Sequence, residues 1–178
     1  MSGIMAADSS DIVGRIRAIE DRLEIYNLIA SHPPAADTGS SAYTKSSYTD
    51  DGVIDLAAGK SAVGNEAIAL IQETPGHRAA IEGGLAHFAS LPRVDVEGDT
   101  AVATSYLQIL TPDPSADLVE VPNHGVSRGF RVHRVGVNRW EFVRTPAGWK
   151  IKRRTLRSLD GSDQARGLLR QALPPAKR

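Results

Sequence analysis

The stretch "GGLAHFASLPRVDVEGDTAVATSYLQI" (residues 83–109) decides the fold, because it predicts a β-hairpin in the middle of the chain. Two strand-like runs, "FASLPRVDVEGD" and "TAVATSYLQIL", meet at a Gly-Asp turn. His87 stands directly before the first run. This histidine is either a core residue with its hydrogen bonds satisfied or a base at the mouth of a pocket.

Helices are predicted before this hairpin. Apolar residues at spacings of three and four predict a long first helix, which should stop near His32 because two prolines follow. This apolar stripe consists of Ile12, Ile16, Ile19, Leu23, Tyr26 and Ala30. Residues 64–73 predict another helix that stops at Pro75, and residues 77–86 are interpreted as a loop or a frayed helix.

Strands are predicted after the hairpin, and they complete an α+β fold. The stretches "RGFRVHRVGVNRWEFVRT" and "WKIKRRTLRSL" read as strands, and Gly136 marks a bulge where the alternation slips. A turn is expected at Asp51-Gly52, and "DQARGLLRQAL" predicts a closing helix. The expected architecture is a curved mixed or antiparallel sheet that forms a half-open cone over the long N-terminal helix. Residues 1–178 would form one domain, with its core at about 10–160 and a C-terminal helix and tail at about 161–178.

Composition excludes several classes of function. Lysine plus arginine equals aspartate plus glutamate at 21 each, so the sequence does not predict nucleic-acid binding. The absence of cysteine excludes thiolate catalysis and cysteine-ligated zinc. With no signal-peptide pattern and no bilayer-spanning run, a cytoplasmic protein without a membrane partner is expected. The five histidines lack metal-ligand spacing and no nucleotide-binding fingerprint occurs, so neither a metal nor a cofactor is expected.

Four stretches resemble one known family. In order they are "DRLEIYNLIA", "SYTDDGVIDL", "AHFASLPRVDVEGDTAVATSY" and "RWEFVRTPAGWKIKRRTL". This order is similar to the SnoaL-like branch of the nuclear-transport-factor-2-like superfamily, and in particular to scytalone dehydratase and hexachlorocyclohexane dehydrochlorinase. The resemblance covers roughly residues 10 to 160.

The resemblance implies an Asp-His dyad. The aspartate after the first long helix falls on Asp37, and the histidine that acts as the base falls on His87. The arginine in the last strand falls on Arg154, with Arg153 as the alternative. Such a set suits proton abstraction at carbon, because a carboxylate orients the imidazole and a cation receives developing negative charge. From the residues alone, Asp37 could instead be a cap or turn residue, and either arginine could lie on a solvated strand face.

Further residues are predicted to bind substrate, and two expected tyrosines are missing. Large rings and one buried amide should face the core or a cavity, namely Tyr26, Tyr48, Tyr106, Asn138 and Trp140, with Arg153 beside them. Scytalone dehydratase has tyrosines where this chain has Ala36 and Leu56, so its specific reaction is not expected. His32 and His77 stand at predicted element ends and receive no role.

The function predicted from the resemblance is cofactor-independent elimination or proton transfer, a lyase or isomerase reaction. The substrate would be a small, mostly apolar compound of the polycyclic, polyketide-like, steroid or xenobiotic class. The alternative is a non-catalytic small-molecule binding module of the same fold. Epoxide hydrolysis would require an Asp-Arg-Asp cluster, for which Asp55 would have to join Asp37 and Arg154. A homo-oligomer, either trimer or dimer, is expected because an open sheet must protect its edges.

Overall fold

The computed structural model describes residues 9–56 and 61–174. The helices are α1 (Ser9–Ala30), α2 (His32–Asp37), α3 (Ser41–Ser47), α4 (Asn65–Leu70), α5 (Pro75–Glu82) and α6 (Asp163–Gln171), with a 3-10 turn at Ile71–Glu73. The strands are β1 (Tyr48–Asp55), β2 (Ser61–Val63), β3 (Ala86–Ala89), β4 (Arg93–Glu97), β5 (Thr100–Pro112), β6 (Val119–Val121), β7 (Gly125–Ser127), β8 (Phe130–Thr145) and β9 (Gly148–Ser158). The tail predicted after residue 174 lies outside the described residues.

Seven strands form one mixed sheet in the order β2-β1-β9-β8-β5-β3, and β4 also pairs with β5. The β1–β9 pair is parallel and the other pairs are antiparallel. The predicted hairpin is confirmed as β4 and β5, and the predicted α+β class is confirmed with it. The proline-rich connection after β5 contains a separate hairpin of β6 and β7. No helix of the described chain is long and apolar enough to cross a bilayer.

Two bulges set which side chains of the long strands face inward. Ile109 pairs with Arg134 while Leu110 pairs with Val132, so His133 is the extra residue of β8. The slip was expected near Gly136, whose pairing is regular. Glycine is needed there for a different reason, since an added Cβ would lie 2.9 Å from Leu156 Cδ1. The second bulge lies in β9, because Glu141 pairs with Arg153 and Phe142 pairs with Ile151.

The predicted apolar stripe of α1 is not the face that packs on the sheet. Ile25 and Ile29 are buried, whereas most residues of the predicted stripe are between 44 % and 58 % exposed, namely Ile12, Ile16, Ile19 and Leu23. Periodicity locates an apolar face but does not say whether the sheet is the surface that covers it. The homo-oligomer expected from the sequence stays a prediction for this single chain.

The segment between α1 and β3 contains more helix than the sequence predicted. The prolines after His32 occupy the first turn of α2, where their missing N–H groups are not needed. The helical run predicted at residues 64–73 ends before Pro75, as expected. Pro75 then begins α5, with Thr74 as its N-cap, so residues 77–82 are helical. The turn expected at Asp51-Gly52 lies inside β1, at an irregularity in its pairing with β9.

Polar contacts anchor α1 to the β8–β9 hairpin. Asp21 accepts two hydrogen bonds of 2.7 Å from the Arg144 guanidinium and one of 3.0 Å from Trp149 Nε1. Glu24 accepts a hydrogen bond of 2.7 Å from the backbone N–H of Trp149. These contacts fix the C-terminal half of α1, and therefore the start of α2, against the sheet.

Asp21→Asn is expected to lower the free energy of unfolding at pH 7 by about 1 kcal/mol. The Arg144 guanidinium holds the pKa of Asp21 below its usual range. The contribution is therefore present above the pKa of the unfolded chain and is lost as pH falls through the lower folded pKa. Urea unfolding of both proteins between pH 7 and pH 3 measures this. The matched control is Asp99→Asn, which removes an exposed partner of the same Arg144; an equal loss in the control would contradict the assignment.

Candidate active site

Asp37 and His87 meet where the end of α2 contacts β3. Asp37 Oδ1 lies 2.6 Å from His87 Nδ1. The backbone N–H of His87 also donates to Asp37, at 3.2 Å to Oδ1 and 3.0 Å to Oδ2. One carboxylate therefore holds both the strand and the imidazole ring. Asp37 is the last residue of α2, so its position follows from the short helix that the two prolines begin.

The His87 ring is arranged as a neutral base. Because Asp37 occupies Nδ1, Nε2 is the nitrogen left for the cavity that His87 lines. Burial lowers the pKa of His87, with further lowering by Arg154 and His77, while Asp37 opposes this shift. The pKa lies below its ordinary value, so the ring is neutral at pH 7 and has a lone pair to accept a proton.

Arg154 is a buried cation without a carboxylate partner in the described parts of the chain. It is 4 % exposed, and its Nε donates to Asn138 Oδ1 at 3.0 Å. Its guanidinium carbon lies 4.9 Å from the centre of the Trp140 ring, and Tyr48 lines the same cavity. Burial lowers the pKa of Arg154, but arginine stays protonated at neutral pH. A buried charge without a counter-ion is costly, so this site is suited to an anion or a developing oxyanion.

These groups line a cavity of about 140 Å³ between the helices and the sheet. The volume is close to that of a cavity that holds a single six-membered ring. Much of the wall is apolar, formed by Ile54, Leu56, Ile68, Ile71, Leu107 and Leu156. The polar side chains in its wall come from separate elements of the fold, such as Tyr48 from β1, His87 from β3 and Arg154 from β9. The cavity is therefore suited to a small apolar frame with a few polar substituents.

Five polar cavity residues were missed by the sequence interpretation: His32, Thr44, Gln72, His77 and Arg134. His32 packs edge-on against Trp140, with ring centres 5.4 Å apart, and burial lowers its pKa well below the usual range. His77 Nε2 lies 2.8 Å from the carbonyl oxygen of Ala36. Arg134 faces inward because it alternates regularly with Asn138 and Trp140, whereas the slip expected near Gly136 would have broken this alternation. The alternation of Arg134 with Asn138 and Trp140 was the one available signal.

The predicted binding residues divide into three groups. Tyr48 lines the cavity with His87 and Arg154. Asn138 and Trp140 are fully buried and contact Arg154, Asn138 by a hydrogen bond and Trp140 through its ring. The others are not among the cavity-lining residues: Tyr26 packs against the core, Tyr106 is 45 % exposed, and Arg153 lies beside the bulge of β9.

The residues that other mechanisms would require are not brought together in this cavity. Asp55 bonds Arg157 at 2.7 Å and is not among the cavity-lining residues, so the geometry does not favour the Asp-Arg-Asp arrangement of an epoxide hydrolase. Ala36 and Leu56, which stand where scytalone dehydratase has tyrosines, both line the cavity. Within residues 9–56 and 61–174, no group of three or more histidine or acidic side chains could hold a metal ion.

Comparison with known proteins places the chain in a family. Residues 17–155 match the SnoaL-like domain. A crystal structure of an NTF2-like protein with a cystatin-like fold from Novosphingobium aromaticivorans is 38 % identical, with a TM-score of 0.80 over 94 % of this chain and 99 % of that one. None of the curated proteins matches the chain.

Two more distant structures have the same fold. A protein from Novosphingobium aromaticivorans provisionally designated scytalone dehydratase is 18 % identical, with a TM-score of 0.56 over 85 % of this chain and 88 % of that one. LinA is 15 % identical, with a TM-score of 0.61 over 81 % of this chain and 89 % of that one. At these identities the likeness concerns the fold alone.

Proposed function

Because the chain belongs to the SnoaL-like domain family, we propose that it is a cofactor-independent lyase or isomerase that removes a proton from carbon. The substrate is a small, mostly apolar compound of the polyketide-like or xenobiotic kind. A cavity of about 140 Å³ favours a frame of one ring. Polycyclic and steroid substrates would require this cavity to enlarge.

The observation that carries the proposal is the Asp37–His87 contact of 2.6 Å beside a cavity that also contains Arg154. His87 Nε2 takes the proton as the C–H bond breaks, and Asp37 stabilises the imidazolium that forms. In an elimination, the C–H electron pair forms a double bond and the leaving group departs as an anion towards Arg154. In an isomerisation, the electron pair moves onto a carbonyl oxygen, Arg154 stabilises the enolate, and the imidazolium returns the proton to another carbon.

A binding module of the same fold is the second candidate. A binding module needs the cavity, but it does not need a carboxylate bonded to the histidine ring nitrogen that faces away from the cavity. The Asp37–His87 contact therefore supports the enzyme over the binder. The cytoplasmic location expected from the sequence remains part of this proposal.

Incubation with small ring compounds in D₂O tests the proposal. The panel contains cyclic ketones, β-hydroxy ketones and halogenated rings, which between them offer proton exchange, dehydration and dehydrohalogenation. NMR follows loss of each C–H signal and growth of product. Turnover by the wild type above that of His87→Asn supports an enzyme. Binding of panel members without exchange or elimination of any of them would instead support the binding module.

The pH dependence of kcat/KM should have its acid limb below pH 6.5. The pKa of His87 is lowered, so activity rises with pH through a value under about 6.5 and is level through neutrality. Asp37 raises this pKa, and Asp37→Asn should therefore move the acid limb to lower pH. Rates of proton exchange between pH 4 and pH 8 measure both curves. An acid limb above pH 7, or one that moves upward in Asp37→Asn, would contradict the role of His87.

A further inference from the structure

Gln72 brings a buried, unpartnered acceptor to the cavity. Its side chain lies in the 3-10 turn after α4, is 6 % exposed, and is part of the cavity wall. Its Nε2 donates to Thr44 Oγ1 at 2.6 Å. Its Oε1 has no hydrogen-bond partner in the described residues. Buried polar atoms in native proteins are nearly always paired, so an acceptor left open in a cavity wall indicates a donor on the ligand.

In the structure the Gln72 amide bonds Thr44 through its nitrogen. With Nε2 committed to the Thr44 hydroxyl, Oε1 is the end of Gln72 that is left to a ligand. Thr44 comes from α3 and also lines the cavity, so the two residues form one polar site on an otherwise apolar part of the wall. Among the described residues, neither hydrogen-bonds the Asp37–His87 pair.

The charged groups of the cavity complement this acceptor. Arg154 and Arg134 both line the cavity, and a guanidinium group donates hydrogen bonds but cannot accept them. A ligand that satisfies the whole wall therefore has an electron-rich oxygen for the arginines and a hydroxyl or N–H for Gln72. These two groups would be joined by a frame of about one ring.

We propose that Gln72 selects substrates by accepting a hydrogen bond from a hydroxyl or N–H group that the reaction leaves in place. That the selected compounds are substrates rests on the proposed function, whereas the preference in binding does not. The hydroxyl bound by Gln72 is not the leaving group, because an amide oxygen cannot supply the proton that departing hydroxide needs. Hydroxylated ring ketones fit this site, whereas wholly apolar halogenated rings leave Oε1 unpaired.

Two neutral ketones of the same shape test the preference: 4-hydroxycyclohexanone and 4-methylcyclohexanone. Dissociation constants come from NMR titration of the wild type, Gln72→Met and Thr44→Ser. The wild type should bind the hydroxy ketone about tenfold more tightly than the methyl ketone. Gln72→Met keeps the length of the side chain but removes the acceptor, so it should lose or reverse this ratio. Thr44→Ser keeps the hydroxyl that orients Gln72 and should retain the ratio.

Equal binding of the two ketones by the wild type, tighter binding of the methyl ketone, or no binding of the hydroxy ketone would overturn the proposal. Survival of the full ratio in Gln72→Met would do the same. The wild-type comparison stands alone, so the test does not require that a variant folds. Both ketones are also titrated into His87→Asn. If the ratio is preserved but the wild type exchanges no protons, the Gln72 binding preference is supported and the proposed reaction is contradicted.

Discussion

Replacing His87 with asparagine is expected to lower kcat/KM for removal of a carbon-bound proton by about 10³-fold, in the range of general-base contributions. Asparagine can still bond Asp37 but has no lone pair that takes a proton near neutrality. Ligand binding should change much less, because the cavity keeps its shape. Rates of C–H exchange in D₂O and dissociation constants from the same NMR titrations measure the two effects separately.

The control for this variant is His124→Asn, which changes an exposed histidine outside the cavity. It should retain the activity of the wild type. Asp37→Asn should also lose activity, since the carboxylate orients the ring and stabilises the imidazolium. Wild-type rates in His87→Asn would mean that the base is another group and would remove the mechanism.

Arg154→Met should lower kcat by about 10²-fold, as expected when one group that stabilises an oxyanion is removed. Methionine fills a similar volume beside Trp140 but leaves developing negative charge without a donor. The lost bond to Asn138 costs about 1–3 kcal/mol for an unpaired buried acceptor, but removal of an uncompensated buried charge offsets this cost, so the free energy of unfolding should change little. Turnover of the best panel substrate and urea unfolding check the two effects.

Arg153→Met is the matched control, because it removes the same charge one residue away and outside the cavity wall. Its activity should stay within about twofold of the wild type, since surface charges away from a site contribute little. The pair also separates the two arginines that sequence alternation could not distinguish. A larger loss in Arg153→Met than in Arg154→Met would reverse the assignment of the oxyanion group.

The features that the sequence predicted are local or follow from the family resemblance. The β4–β5 hairpin follows from a Gly-Asp turn between alternating runs, and both are short-range signals. The pairing of Asp37 with His87 was not visible from spacing, because 50 residues separate them. The resemblance alone brought these two residues together as a hypothesis, and the structure places them in contact.

The features that the sequence did not predict depend on bulges and on convergence of distant elements. Alternation gives the facing of a strand only up to the next bulge, so it could not choose between Arg153 and Arg154. Arg134 was missed because a slip was expected near Gly136, where the pairing is regular. Gln72 reaches the cavity from a 3-10 turn whose position depends on α3 and α4. The exposed stripe of α1 shows that periodicity alone does not decide which surface covers an apolar face.

The protonation of the two ring nitrogens of His87 tests the central claim most directly, because it needs no substrate. NMR of protein labelled with ¹⁵N-histidine, with His87→Asn for assignment, reports each nitrogen between pH 4 and pH 8. We expect a neutral ring at pH 7 with the proton on Nδ1, bare Nε2, and a titration below pH 6.5. A ring that is doubly protonated at pH 7, or that has its single proton on Nε2, would contradict the account, because Nε2 would then have no lone pair to offer.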